Sequence, residues 1–108
     1  MQGKIIKGIA GFYYSCVLTV KNWIGVQVYF GSDKPEQNKE RYDFVEEKCK
    51  SQIDDLKCKK VEWKRLDDKK ASYINVKLGA DFRDKSDWQR QFEWMHNTMI
   101  AIHNIIKP

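Results

Sequence analysis

A chain of 108 residues fits one domain and is long enough to bury a core without disulfide or metal staples. Hydrophobic residues at 42% and aromatics at 13% exclude a disordered ground state, and no apolar run approaches the ~20 residues of a membrane helix. Twenty basic and 15 acidic side chains leave a net charge of +5, an excess that suits an anionic partner and that many proteins without one share.

Residues 1–108 read as a single α+β domain in which one pattern is written twice: two strands, then a capped amphipathic helix. Residues 8–57 carry the first copy. Residues 8–20 alternate with the period of a strand that buries one face, predicting Phe12, Tyr14, Cys16, Leu18 and Val20 inward and Ile9, Tyr13, Ser15 and Thr19 outward. Lys21-Asn22 supplies a tight turn, because Asn tolerates the left-handed conformation that hairpins need. A second strand over 23–30 turns Ile24, Val26, Val28 and Phe30 inward and ends at Gly31-Ser32. Asp33-Lys34-Pro35-Glu36 predicts a helix start, with Asp33 accepting from free N–H groups, Pro35 in the first turn and Glu36 completing a capping box. Tyr42, Val45, Cys49, Ile53 and Leu56 then line one helix face, with Lys39, Glu40, Glu46, Glu47, Lys48 and Lys50 as the solvated remainder, and the helix runs to about Lys57.

The second copy occupies 61–107. Val61 and Trp63 mark a short third strand reaching toward Leu66, and Asp67–Lys70 form a polar turn. In the fourth strand Ser72, Ile74, Val76 and Leu78 alternate with Tyr73, Asn75 and Lys77. Ser86-Asp87-Trp88-Gln89 predicts another capping box, with Asp84 and Asp87 near the positive end of the helix dipole. Trp88, Phe92, Met95, Met99, Ile102 and Ile106 form the apolar stripe of the last helix. The expected architecture is a four-stranded, mainly antiparallel sheet with two helices on one face.

No constellation in this pattern compels an enzymatic reading. Restriction-type nucleases set an acid, then an acid-x-Lys on a strand, to hold magnesium and position water. Glu62-Trp63-Lys64 with Asp54-Asp55 upstream matches part of that pattern, but Asp54 and Asp55 fall near a helix end, and a charged strand face accounts for the same residues. His96 and His103 are two turns apart, about 10.5 Å along a helix axis, too far for one metal. Cys16 and Cys49 sit at predicted core positions and Cys58 in a basic loop, with no metal-type spacing. The glycines Gly8, Gly11 and Gly25 lie within strands and form no phosphate loop. The expectation is a chain without cofactor, metal, membrane partner or small-molecule substrate.

What remains is the sheet face that the helices leave open. It presents Tyr13, Ser15, Thr19, Gln27, Tyr29, Tyr73, Asn75 and Lys77, while Lys57, Lys59, Lys60, Lys64, Arg65, Lys69 and Lys70 add a basic stretch around the third strand. Bases stack on aromatic rings and cations hold phosphates, so Tyr13, Tyr29 and Tyr73 with Lys64, Arg65, Lys69, Lys70 and Lys77 are candidates for contacting nucleic acid. Tyrosines are equally favoured at protein interfaces, so a protein-interaction or homodimerisation role for the same face stands as the alternative.

Five stretches also resemble a known family: residues 8–16 (GIAGFYYSC), 26–30 (VQVYF), 38–53 (NKERYDFVEEKCKSQI), 61–74 (VEWKRLDDKKASYI) and 88–99 (WQRQFEWMHNTM). The order of Asn38, the Trp63 strand, Ala71-Ser72 before Ile74, and Trp88 followed by Trp94-Met95 carries the likeness. The family is a prokaryotic domain of unknown function, often C-terminal to restriction-endonuclease-like nuclease domains and sometimes alone. The resemblance implies an accessory, non-enzymatic domain of a DNA-processing or genome-defence system. It transfers no catalytic residue. The N-terminal 1–7 is too short and too charged for a secretory signal, which with reduced thiols sets the expectation of a cytoplasmic protein.

Overall fold

The computed structural model of the chain describes residues 12–107. The alternation predicted for the first strand forms β1 (Phe12–Leu18); its extension through residues 8–11, with Gly8, Ile9 and Gly11, lies outside the described residues. Asn22 adopts φ 66°, as the hairpin requires, and β2 (Trp23–Phe30) returns antiparallel to β1. The Thr19 hydroxyl braces this turn by donating to the Trp23 carbonyl over 2.7 Å. Then follow α1 (Pro35–Asp54), β3 (Lys60–Lys64), β4 (Ser72–Gly79), a single 3₁₀ turn (Lys85–Asp87) and α2 (Trp88–Ile106). No described helix is long and apolar enough to cross a membrane.

The four strands make one open sheet in the order β1-β2-β4-β3, with every neighbouring pair antiparallel. Two hairpins therefore meet through β2 and β4 at the centre, leaving β1 and β3 as edges. Ile24, Val26, Val28 and Phe30 of β2 and Ile74 and Val76 of β4 are fully buried against Tyr42, Val45 and Ile53 of α1 and Met95, Ile102 and Ile106 of α2. Each such side chain contributes about 1.5–3 kcal/mol relative to exposure. The expected α+β fold, with both helices on one face, is the observed one.

Several local expectations are corrected. Cys16, Leu18 and Val20 are exposed rather than inward, because β1 is an edge strand and α2 meets it near Tyr14, whose hydroxyl lies 3.5 Å from His103 Nδ1. Asp33 does not cap α1: Lys34 is the N-cap without a side-chain bond, and the Lys34 N–H instead donates to the Ser32 hydroxyl over 3.3 Å. The helix stops at Asp54, so Leu56 packs half-buried from beyond its end. The third strand begins at Lys60 and excludes Leu66, which lies in the following loop with φ 56°. Cys58, read as part of a basic loop, is half-buried against the core, and burial pushes its pKa up, as it does that of Cys49.

The largest correction concerns α2. Ser86 does not cap this helix; its N–H and hydroxyl are both taken by Asp84, at 3.1 and 2.6 Å, which closes the 3₁₀ turn. Asp87 becomes the N-cap residue, and its carboxylate binds Arg90 and Gln91. Gln91 also donates to the Asp81 carbonyl over 2.8 Å, which draws it into the interior. The buried stripe therefore runs through Gln91, Met95, Thr98, Ile102 and Ile106. Trp88 and Phe92, expected in the core, remain 37% and 50% exposed and pair with each other at 5.7 Å.

Candidate functional site

Strand parity sends side chains to opposite faces, and the antiparallel registers decide which of them align. On the face without helices the registers place Tyr13 opposite Tyr29, Tyr29 opposite Tyr73, and Tyr73 opposite Lys64. One row of three phenols and an ammonium thus crosses all four strands. Tyr13 is 44% exposed, Lys64 is exposed, and Tyr29 and Tyr73 are half-exposed. The Tyr13 and Tyr29 rings lie 6.4 Å apart with planes inclined by 27°. Tyr29 leans over Gly31 so closely that a Cβ there would sit 2.1 Å from a ring carbon.

The next row contains Ser15, Gln27, Asn75 and Glu62. Gln27 donates to Asn75 over 2.9 Å, and Asn75 is only 7% exposed although the sequence places it on the open face. A third row holds Val17, Gly25, Lys77 and Lys60. Lys77 reaches back to Glu62 at 2.9 Å and lies 4.1 Å from the centre of the Trp23 ring. That hydrogen bond draws the Glu62 pKa below the usual carboxylate range, against the opposing effect of burial. Trp23 is the site residue that reading the sequence misses; it shares the parity of Gln27 and Tyr29, and its ring folds over Gly25, where a Cβ would meet it at 3.1 Å.

The expected cations separate into two groups. Lys64 ends the tyrosine row, and the loop 65–71 leaves the sheet at the same end, carrying Lys69 and Lys70 exposed. Arg65 instead binds Asp43 of α1 through Nε and Nη2, at 2.8 and 3.0 Å, and Asp67 through Nη1. These hydrogen bonds raise the Arg65 pKa further and cancel its charge locally. Lys77 is likewise committed to Glu62.

The loop bearing Lys69 and Lys70 is held by two adjacent residues of α1. Asn38, fully buried, donates to the carbonyls of Lys70 and Ser32 at 2.9 and 3.0 Å and accepts from the Ser32 N–H and hydroxyl, both at 2.8 Å. Lys39, expected on the solvated face, turns inward: its Nζ lies 2.6, 2.7 and 2.9 Å from the carbonyl oxygens of Arg65, Leu66 and Ala71 and 3.0 Å from the Ser72 hydroxyl. Burial, and then the Arg65 charge, lower its pKa. The left-handed Leu66 is part of this geometry, its carbonyl accepting from both Lys39 and the Lys69 N–H, the latter at 2.8 Å.

The nuclease-like residues are not brought together. Glu62 belongs to the open face, whereas Asp54 accepts from Trp63 Nε1 at 2.8 Å and from Lys50 at 3.2 Å on the helix side. The sheet separates the two carboxylates. His103 lies beside Tyr14 and His96 is exposed, and no three His, Cys, Asp or Glu side chains converge among the described residues.

Fold and site together define a two-layer α+β domain with an open, aromatic-bearing sheet face. Residues 4–108 match a domain of unknown function, DUF4268, and the chain belongs to that family. No curated protein and no solved structure matches it.

Proposed function

We propose that this domain is a non-enzymatic accessory module that binds nucleic acid through its open sheet face, within a prokaryotic DNA-processing or genome-defence system. The observation that carries the reading is the alignment of Tyr13, Tyr29 and Tyr73 with Lys64 in one row. The phenol rings supply stacking surface, and Lys64, Lys69 and Lys70 neutralise phosphates at the end of that row. Arg65 and Lys77 act as internal struts rather than phosphate ligands, since each is bound to a carboxylate. The setting follows from the resemblance to domains that accompany nuclease domains, which would themselves carry any strand scission.

Fluorescence anisotropy of labelled DNA and RNA at two salt concentrations tests the reading, with a Lys69→Glu/Lys70→Glu variant alongside. Expected is binding that weakens with salt, as counterion release requires, and that the charge reversal reduces. Absence of binding at low salt overturns it.

A second reading, self-association, draws on the edge position of β1 and on Tyr13, Leu18 and Val20 exposed along or beside it. Sedimentation that gives a concentration-dependent mass, abolished by Tyr13→Ser and indifferent to the lysine reversal, would favour that reading over the first.

A further inference from the structure

Resting on the nucleic-acid reading, we infer that the occupant of this face is a single strand of nucleic acid, running across the strands with its bases on the tyrosine rings and held with little regard to sequence. The spacing of the rings carries the argument. Tyr13 and Tyr29 are 6.4 Å apart, almost twice the ~3.4 Å between stacked bases in a duplex strand. Adjacent bases reach adjacent rings only when they are unstacked and splayed, which a duplex forbids and a single strand permits at small cost.

The surroundings of the row agree. Both helices pack on the opposite side of the sheet, so neither is placed to enter a major groove from this face. Lys64, Lys69 and Lys70 are exposed at one end of the row, where they can hold a backbone segment whose bases lie on the rings. The polar groups beside the rings are already engaged: Gln27 with Asn75, and Glu62 with Lys77. With these groups satisfied internally, few donors or acceptors are left to read base edges, and stacking alone accepts any base.

The test is a competition series with the full chain. A fluorescent oligo-dT probe is displaced by mixed-sequence single-stranded DNA, by the matching duplex and by RNA of the same sequence. Tyr29→Leu, Tyr73→Leu and Lys64→Glu variants are measured in parallel, with circular dichroism confirming that each is folded. The inference expects single-stranded DNA to compete at least about tenfold better than duplex, with oligo-dT and mixed sequence within a few-fold of each other. It expects each tyrosine variant to weaken binding by about tenfold and Lys64→Glu to reduce the salt slope by about one. Equal or tighter duplex binding that is sensitive to Lys64→Glu but not to the tyrosine changes overturns the inference and leaves the nucleic-acid reading standing. Single-stranded RNA is expected to compete as single-stranded DNA does, because stacking on the rings does not read the sugar. No binding of any probe at low salt overturns both.

Discussion

The Asn38 side chain donates to the Lys70 carbonyl over 2.9 Å, so the first turn of α1 fixes the end of the loop between β3 and β4. The same amide bridges to Ser32 through three further hydrogen bonds, which makes one buried side chain the junction of three chain segments. Asn38→Ala leaves these partners without a buried counterpart, each a loss of about 1–3 kcal/mol before relaxation. We expect a net destabilisation of about 2–3 kcal/mol in urea unfolding, with an unchanged m-value. A change within experimental error would show that water replaces the amide without penalty.

Acid sensitivity follows from the carboxylates. Hydrogen bonding to Arg90, then Gln91, draws Asp87 down to about 2, and Arg65, Lys77 and Arg83 lower Asp43, Glu62 and Asp81 respectively. Each group therefore takes up its proton at higher pH in the unfolded chain than in the folded one. The stabilisation they supply is complete above about pH 5, where the unfolded carboxylates are ionised, and is lost progressively as pH falls to about 2 and below. Thermal melts across this window should show Tm falling with pH, and Asp87→Asn should flatten that fall. An unaltered acid slope in the variant would contradict the assignment.

Gly31→Ala places a methyl group where the Tyr29 ring now lies. The ring has to move, which alters its arrangement with Tyr13 while the core behind the sheet stays intact. The expected result is a changed near-ultraviolet circular dichroism spectrum and weakened oligonucleotide binding, with a stability change under about 1 kcal/mol. Binding identical to the native chain would show that the position of Tyr29 is irrelevant to the ligand.

Two apolar residues of α2 separate packing from pattern. Ile102 is fully buried and Phe92 half-exposed, although both belong to the stripe read from the sequence. Ile102→Ala should cost about 2–5 kcal/mol, as large-to-small core changes do. Phe92→Ser, which removes a half-exposed ring and its pairing with Trp88, should cost about 1 kcal/mol. Comparable losses for both would mean that Phe92 is covered in solution, by a partner or a second copy.

Parity explains why much of the open face is legible in the sequence. Period-two alternation assigns Tyr13, Gln27, Tyr29, Tyr73 and Lys77 to the side opposite the buried Val and Ile residues. Alignment of the three tyrosines into one row depends on hairpin register, which alternation leaves open. Arg65 reads as a free cation because Asp43, which takes two of its hydrogen bonds beside the nearby Asp67, lies 22 residues away on another element. Lys39 reads as solvated because its acceptors are backbone carbonyls, invisible in side-chain chemistry. The rotation of α2 escapes the hydrophobic pattern for a similar reason: the Asp81 carbonyl, through Gln91, decides which flank turns inward.

The ammonium of Lys39 stands among four oxygens much as a bound metal ion would stand in a chelating loop. This cation is covalently tethered to a helix, so neither a chelator nor a competing salt can exchange it. Loop 65–71 thereby acquires this anchor as an act of folding and keeps it across ionic conditions that would empty a metal site. Salt acts on this loop only through the exposed pairs of Arg65 with Asp43 and Asp67, while the Lys39 anchor beneath it stays in place.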